Sequence, residues 1–319
     1  MRRSWTVPFV LVSLLACDDF ALGPDPATTN AAVFDRLWRE FDRHYALFGI
    51  KGHDWDEARE RFRPSALEAD NPRRLATILW SMLEELSDNH VSLSTPFRSF
   101  SHDSGIATPH GERITWSRAF GDVGYIRIAE FSGSTDRIGK AVASLGDLDG
   151  LVVDVRSNSG GLIRNADAVA GHFVDRGETY AFTRYRNGPD HSDFGDPVAL
   201  RVRPVRRAYR GNVVVLTDRR TFSAAETFAL AMRTNERTVI VGDTTGGSVG
   251  KPVSRELPNG WLVKVSQWIA YETDGSVIED VGVAPDVFVS DGDGPGDRPL
   301  EEALAILRAA SRAPSPFAP

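Results

Sequence analysis

The chain has 319 residues, of which 41% are hydrophobic and 25% charged, and its formal net charge is −7. It is therefore long enough to bury a large core and to form more than one compact unit. With a negative balance and no basic patch, we expect no nucleic-acid partner. Cys17 is the single cysteine, so a disulfide within the chain is excluded.

The first sixteen residues differ from the rest. Arg2 and Arg3 precede an apolar run, Val7–Leu15, which is too short to span a bilayer comfortably. We expect a signal peptide over 1–16. The ending Leu14-Leu15-Ala16-Cys17 resembles a bacterial lipobox, which implies a lipid anchor at Cys17, a tether over 17–29 and a place on the extracytoplasmic or periplasmic side of the bacterial cell envelope. The alternative is an ordinary secretory signal with an incidental cysteine.

Helical periodicity dominates the next part of the chain. Apolar and aromatic residues at helical spacing predict a first helix within 30–49, with its aromatic stripe in the core. Asp54 can cap a second helix over 55–68, and Asn71, followed by a proline, can cap a third. We therefore predict a three-helix bundle over 30–93 and a connecting loop over 94–122.

From residue 123 onwards, apolar strands alternate with helices. Predicted strands cover 124–128, 151–155, 179–186, 198–203, 212–217, 238–242 and 261–270, with helices over 134–145, 162–175 and 223–234. This alternation indicates an α/β core over 123–290 with a mostly parallel sheet.

The end of the chain, 291–319, reads as a linker followed by a C-terminal helix near 300–311. The acidic, glycine-rich stretch 291–299 lacks the late glutamate of an EF-hand calcium loop, so we interpret it as a linker. Histidines with metal-binding spacing are absent from the sequence. We expect no metal and no cofactor.

Ser223 stands where an apolar strand and a short turn lead into a helix. With Glu226 three residues later it forms a capping-box pattern, in which the serine has only a structural role. The same position lies at the carboxyl edge of the sheet, where α/β proteins bind ligands. There Ser223 could act as a nucleophile, and the Ala224 N–H could stabilise developing negative charge.

A second group of residues follows the predicted strand 151–155. The segment from Asp154 to Asn158 is followed by Ser159, Gly160 and Gly161, and two glycines allow backbone conformations closed to other residues. Such a turn could present an N–H to a substrate. A turn that binds nothing is the alternative.

Four motifs in order resemble the tail-specific, or C-terminal processing, peptidases of family S41. They are Asp154-x-Arg156-x-Asn158-x-Gly160-Gly161, Ser223-Ala224-Ala225-Glu226, Gly242-Asp243-Thr244-Thr245-Gly246-Gly247, and the stretch from Glu279 to Asp286. Asp54-Trp55 and the Leu86-x-Asp88-x-His90 turn are similar to the N-terminal part of the family. The resemblance implies a core of the ClpP/crotonase type, with Ser223 as nucleophile and the N–H groups of Gly160 and Ala224 as oxyanion donors.

The general base depends on the branch of the family. The processing branch has a catalytic lysine at a position occupied here by Ser248, and Lys251 comes three residues later. The tricorn-core branch uses a histidine, matched by His90, and a glutamate, matched by Glu279. That branch joins the two through a serine before the histidine, where this chain has Asn89.

The resemblance therefore implies a serine endopeptidase that cleaves peptides or unfolded proteins with Ser223 and His90, assisted by Glu279 and Asn89. Only about thirty residues separate Leu93 from Val123, too few for the PDZ module that processing peptidases usually carry. Two alternatives stay open, a Ser–Lys peptidase that uses Lys251 and a non-catalytic protein that binds an apolar ligand or a peptide. The sequence leaves the oligomeric state open.

Overall fold

The structure is a computed structural model that describes residues 28–102, 111–145, 147–290 and 296–312. Cys17, the predicted signal peptide over 1–16 and most of the predicted tether lie outside these residues, as do 103–110 of the predicted loop and 291–295 of the predicted linker. Within the described part of the chain, no helix combines the length and apolar character needed to cross a membrane.

Between residues 28 and 91, the structure has four helices: α1 Asn30–His44, α2 Phe48–Lys51, α3 Trp55–Leu67 and α4 Pro72–Glu84. Asp54 caps α3 by accepting from Glu57 N at 3.0 Å, and Asn71 caps α4 by accepting from Arg74 N at 3.0 Å. Both caps were predicted. The aromatic stripe on α1 is buried, as expected for core residues.

The remaining helices are α5 Asp136–Leu145, α6 Ile163–Ala170, α7 Ala224–Arg233 and α8 Arg298–Arg312. The strands are β1 Ser92–Ser94, β2 Ser99–Ser101, β3 Ile114–Phe120, β4 Val123–Ile128, β5 Gly150–Asp154, β6 Glu178–Tyr185, β7 Val198–Val202, β8 Asn212–Thr217, β9 Thr238–Gly242, β10 Pro252–Glu256, β11 Leu262–Ser266, β12 Trp268–Glu272 and β13 Val287–Phe288.

The central sheet has the order β13-β9-β8-β5-β4-β3. Its neighbours are parallel except for β3, which pairs antiparallel with β4. Helices α5, α6 and α7 cover one face of this sheet, and α8 covers the other, where Ala303, Leu304 and Leu307 are buried. The mixed α/β fold with a mostly parallel core, N-terminal helices and a C-terminal helix is confirmed.

Two antiparallel sheets join the helices to this core. The order β10-β11-β1-β2 brings β1, which follows the N-terminal helices, beside β11 from the second half of the chain. The N-terminal helices pack on this sheet in one hydrophobic cluster. The third sheet has the order β12-β6-β7. The helical part is thus fixed to the core through strand pairing.

Several elements differ from the sequence prediction. The first helix ends at His44, and a separate short helix ends before Gly52, whose φ of 69° is left-handed. The predicted loop 94–122 contains β2 and β3, and the predicted strand 261–270 is two strands in different sheets. The break is at Gln267, whose N–H donates to Gly250 O at 2.9 Å. Strand β10 was not predicted.

Candidate active site

The loops that follow three neighbouring parallel strands meet at the carboxyl edge of the central sheet. Phe222 N, after β8, donates to Asn158 O, after β5, at 2.9 Å. Gly246 N, after β9, donates to Thr221 O at 2.9 Å. The loops are therefore fixed to one another by backbone hydrogen bonds, at the edge where parallel sheets bind ligands.

Ser223 precedes α7 with backbone angles of φ 56° and ψ −119°. An ordinary N-cap residue has extended angles, and positive φ is uncommon for residues other than glycine. Its N–H donates to Glu226 Oε2 at 2.8 Å, which is the glutamate part of the predicted capping box. The half-buried serine is thus held in a strained turn between strand and helix, a geometry that presents a nucleophile.

Gly160 packs directly against this serine. A Cβ on Gly160 would lie 2.7 Å from Ser223 Cβ and 3.0 Å from Ala224 N, and its φ is +100°. Gly161, with φ +130°, packs equally closely on Phe131. The structure thus brings Gly160 beside Ser223 and Ala224. The Gly160 N–H donates to Asn158 Oδ1 at 2.8 Å in this arrangement.

Glu226 is fully buried beneath the serine and connects two loops. Its Oε2 accepts from Ser223 N and from Ser248 N at 2.9 Å, and its Oε1 accepts from Gly247 N at 2.8 Å and from Thr245 Oγ1 at 2.6 Å. Burial raises the pKa of Glu226, while these hydrogen bonds oppose the rise. The four hydrogen bonds favour the ionised carboxylate, because all four donors can then donate to its two oxygens.

His90 reaches the same loops from the turn that follows α4. Its Nδ1 lies 3.1 Å from Ser248 Oγ and 3.4 Å from Gly250 N, and its side chain is 14% exposed. Burial lowers the pKa of His90, and the nearby Asp88 carboxylate partly opposes this. Within the described residues, no hydrogen bond joins His90 to Ser223. Catalytic hydrogen bonds in unliganded sites are often long and shorten when substrate binds.

Asp88 fixes the backbone of the histidine turn. Its Oδ1 accepts from His90 N at 2.8 Å, and its Oδ2 accepts from Ser266 Oγ at 2.7 Å. Asp88 is fully buried, whereas Asn89 is exposed. Asn89 is therefore not placed behind the imidazole, where the sequence prediction had it.

Glu279 is buried and contacts the loop that carries Ser248. Its Oε2 accepts from Val249 N at 3.0 Å, and its Oε1 is 3.5 Å from Lys51 Nζ. Burial and the charge of Asp88 raise the pKa of Glu279 to about 8, although Lys51 opposes this. Glu279 thus borders the site through Val249, and among the described residues it makes no hydrogen bond to His90.

Lys51 is a buried cation at the junction of the helices and the core. Its side chain is 4% exposed, and Nζ donates to Asp280 Oδ1 at 2.5 Å and to Ser87 O at 3.1 Å. Burial acts to lower the pKa of Lys51, but the hydrogen bond to Asp280 and the charge of Glu279 outweigh it and raise the pKa. Lys51 thus connects the histidine turn to the Glu279 segment.

The Lys251 side chain contacts two aromatic residues. Nζ donates to Tyr185 Oη at 2.6 Å and lies 4.9 Å and 5.0 Å from the ring centroids of Tyr185 and Trp268. The ammonium is thus held by one hydrogen bond and by contact with two aromatic rings. These contacts occupy the group that the Ser–Lys alternative needs as its base.

Sequence reasoning missed the roles of Ser248, Lys51 and the four-bonded Glu226 carboxylate. One signal was present for Ser248, because it occupies the position of a lysine that contacts the nucleophile in similar peptidases. For Lys51 there was no signal, since its partners lie far along the chain.

Ser223 lies at a helix N-terminus beside the tight Gly160 turn, and His90 contacts Ser248 and Gly250 in the adjoining loop. A nucleophile, backbone N–H groups and a basic side chain are the components of nucleophilic acyl transfer. The class that this geometry fits is the serine hydrolases.

The particular family follows from comparison of the sequence with known families. Residues 122–289 match Peptidase family S41, and residues 26–84 match the tricorn protease C1 domain. Since the first match covers more than half of the chain, the chain belongs to Peptidase family S41.

Two similar relatives are carboxy-terminal processing proteases of Bacillus subtilis. The chain is 29% identical to CtpB over 189 residues, which are 58% of this chain and 38% of CtpB. It is 29% identical to CtpA over 171 residues, which are 52% of this chain and 34% of CtpA. The match thus spans little more than a third of each relative.

Solved structures share the fold over most of the chain. A candidate peptidase from Parabacteroides merdae is 29% identical, with a TM-score of 0.77 over 88% of this chain and 97% of that chain. The photosystem II D1 C-terminal processing protease is 20% identical, with a TM-score of 0.63 and the same coverage. The tricorn protease is 13% identical, with a TM-score of 0.62 over 88% of this chain and 37% of that chain. The last two similarities concern the fold alone.

Proposed function

We propose that this protein is a serine endopeptidase that cleaves peptides or unfolded proteins, with Ser223 as nucleophile and His90 as general base. The observation that carries the proposal is the strained backbone of Ser223 packed against Gly160, at the edge of the sheet that His90 also reaches. Strain of this kind is retained where it serves a function. A serine that only capped α7 would not need it.

The mechanism follows from the positions of these groups. Ser223 Oγ attacks the peptide carbonyl while its proton passes to His90 Nε2. The negative charge on the carbonyl oxygen is stabilised by Ala224 N–H, which as the first helical amide has no acceptor within α7, and by the helix dipole. Gly160 N–H is the second donor and exchanges Asn158 Oδ1 for the oxyanion. His90 then gives its proton to the leaving amine as the C–N bond breaks, which leaves an acyl ester on Ser223. A water molecule that gives a proton to His90 attacks this ester, and the proton returns to Ser223 Oγ as the acid product leaves.

His90 is favoured over Lys251 as the base for two reasons. Burial lowers the pKa of the imidazole, so that its neutral form is available at neutral pH. Lys251 is held by Tyr185 and Trp268 instead.

The proposed location is the extracytoplasmic side of the bacterial cell envelope, with a lipid anchor at Cys17. Its support is the apolar run and the Leu-Leu-Ala-Cys sequence at its end. In Cys17→Ser the diacylglycerol-modified peptide should disappear from mass spectra and the protein should leave the membrane fraction. Retention in that fraction would contradict the anchor.

The catalytic proposal is tested with a fluorophosphonate probe and fluorescein-labelled casein. Wild type should react with the probe at Ser223 and hydrolyse casein, and Ser223→Ala should do neither. His90→Ala should lose at least about a thousandfold in rate, and Lys251→Ala little. Ser144→Ala, which removes a distant hydroxyl that donates to Ala141 O at 3.0 Å, is the matched control.

The choice between the rivals is clear from these variants. A large loss in Lys251→Ala with activity retained in His90→Ala would establish the Ser–Lys alternative. A folded wild type that neither reacts with the probe nor cleaves casein would favour the non-catalytic binding protein.

A further inference from the structure

Ser248 is the one hydroxyl within hydrogen-bonding distance of the His90 ring in the described part of the chain. Ser248 Oγ lies 3.1 Å from His90 Nδ1, and the residue is 2% exposed. Its backbone is fixed independently of the hydroxyl, because Ser248 N donates to Glu226 Oε2 at 2.9 Å. The hydroxyl thus extends from a fixed backbone and contacts Nδ1, the nitrogen opposite the one that would serve Ser223.

We propose that Ser248 is a positioning residue that accepts a hydrogen bond from His90 Nδ1–H and thereby keeps Nε2 free to take the Ser223 proton. The inference rests on the function proposed above. In the family resemblance, the hydroxyl that links histidine to glutamate comes from the residue before the histidine. Here that residue is the exposed Asn89, and a serine from the loop after β9 takes the place behind the imidazole.

The proton positions explain why the hydroxyl matters. A neutral imidazole carries one proton, and only the tautomer protonated at Nδ1 leaves Nε2 able to accept. When the Ser223 proton reaches Nε2, the ring becomes a cation, and its Nδ1–H bond to Ser248 Oγ becomes charge-assisted and stronger. The Gly250 N–H faces the same nitrogen at 3.4 Å and favours the opposite tautomer. Measuring which nitrogen of neutral His90 carries the proton therefore tests the proposal directly.

Glu279 contacts the backbone of the same loop one residue after Ser248. Its Oε2 is held by the N–H of Val249, the next residue, while its Oε1 is buried without a hydrogen-bond partner in the described part of the chain. The Lys51 ammonium lies 3.5 Å from Oε1, and Glu279 thus borders the loop of Ser248 through Val249.

The test uses Ser248→Ala, which removes the hydroxyl and keeps the backbone bond to Glu226. Its rate of reaction with the fluorophosphonate probe should fall about tenfold to a hundredfold, the equivalent of one hydrogen bond to a charged group. Ser248→Thr, which retains a hydroxyl, should recover most of the rate. Ser144→Ala should equal wild type. Urea unfolding of each variant separates loss of fold from loss of rate.

Two readouts distinguish positioning from a merely structural effect. Nitrogen-15 spectra of the histidine ring should show Nδ1–H for His90 in wild type and a mixture of tautomers in Ser248→Ala. The acidic limb of the rate–pH profile should move to lower pH in Ser248→Ala, because the imidazolium loses an acceptor. Asp88, Lys51 and Lys264, the charged groups around His90, are unchanged in that variant.

The outcomes separate this inference from the proposed function. If wild type reacts with the probe and Ser223→Ala does not, while Ser248→Ala keeps the wild-type rate and pH profile, the peptidase stands and the role of Ser248 is wrong. A wild-type His90 protonated at Nε2 overturns it as well. If wild type is inert in both assays, the proposed function itself has failed.

Discussion

Replacing Glu226 by glutamine should destabilise the protein and slow the reaction of Ser223, although the side chain keeps its size. The ionised carboxylate accepts from four donors, Ser223 N, Ser248 N, Gly247 N and Thr245 Oγ1. An amide has one oxygen and one NH₂ group, so it can satisfy two of the backbone donors at most. In the best orientation, the amide oxygen accepts from Ser223 N and Ser248 N, and the NH₂ group faces Thr245 Oγ1 and Gly247 N.

The cost can be worked out from this orientation. Thr245 Oγ1 can accept from the NH₂ group, but the buried Gly247 N–H then faces another donor, which costs about 1–3 kcal/mol. The two bonds that remain lose their charge-assisted strength, about another 1 kcal/mol each. Relief from burying a charge offsets part of the loss. We expect a net loss of about 2–4 kcal/mol in the free energy of unfolding.

Urea unfolding followed by tryptophan fluorescence measures this loss, and the fluorophosphonate rate reports the position of Ser223. Glu236→Gln, an exposed change close to the end of α7, is the matched control and should cost less than about 0.5 kcal/mol. If Glu226→Gln unfolds at the same urea concentration as that control and reacts at the wild-type rate, the ionised, four-bonded carboxylate is refuted.

Two further variants probe the base and the glycine turn. The charge of Lys264 lowers the pKa of His90, so Lys264→Gln should move the acidic limb of the rate–pH profile to higher pH. Added salt should reduce the difference between the two profiles. The distant Lys140→Gln is the control and should leave the profile unchanged, and an unchanged profile in Lys264→Gln would contradict the prediction. Gly160→Ala should reduce the rate of reaction with the probe by a factor on the order of 100, because the new Cβ would lie 2.7 Å from Ser223 Cβ at a φ of +100°. A folded variant with the wild-type rate would show that the turn can accommodate a side chain.

The elements that could be predicted are those whose pattern is local. Strands 212–217 and 238–242 were predicted with their observed bounds, because each is an apolar run bounded by turn residues. Strand β3 was missed because its pairing with β4 comes from the fold and not from a strong pattern of its own. The break between β11 and β12 at Gln267 could not be predicted from the sequence either, because it accompanies a backbone hydrogen bond from Gln267 N to the distant Gly250 O.

The candidate site divides in the same way. Ser223, Gly160 and His90 could be found because each belongs to a local motif. Lys51 could not, because its contact with Asp280 joins residues 229 positions apart. The sequence shows that Ser248 occupies the position of a lysine in the processing branch. The structure shows in addition that its hydroxyl lies beside the His90 ring.

The bond between Asp88 and Ser266 has a consequence for the order of events during synthesis. The two residues are 178 positions apart, and the turn that carries His90 is held by this bond. Because synthesis starts at the N-terminus, His90 leaves the ribosome long before β11, the strand that carries Ser266, has been made. Ser223 and His90 can reach their observed positions only once Ser266 has been synthesised and has joined the fold, so the candidate site is not assembled while the chain is still unfolded.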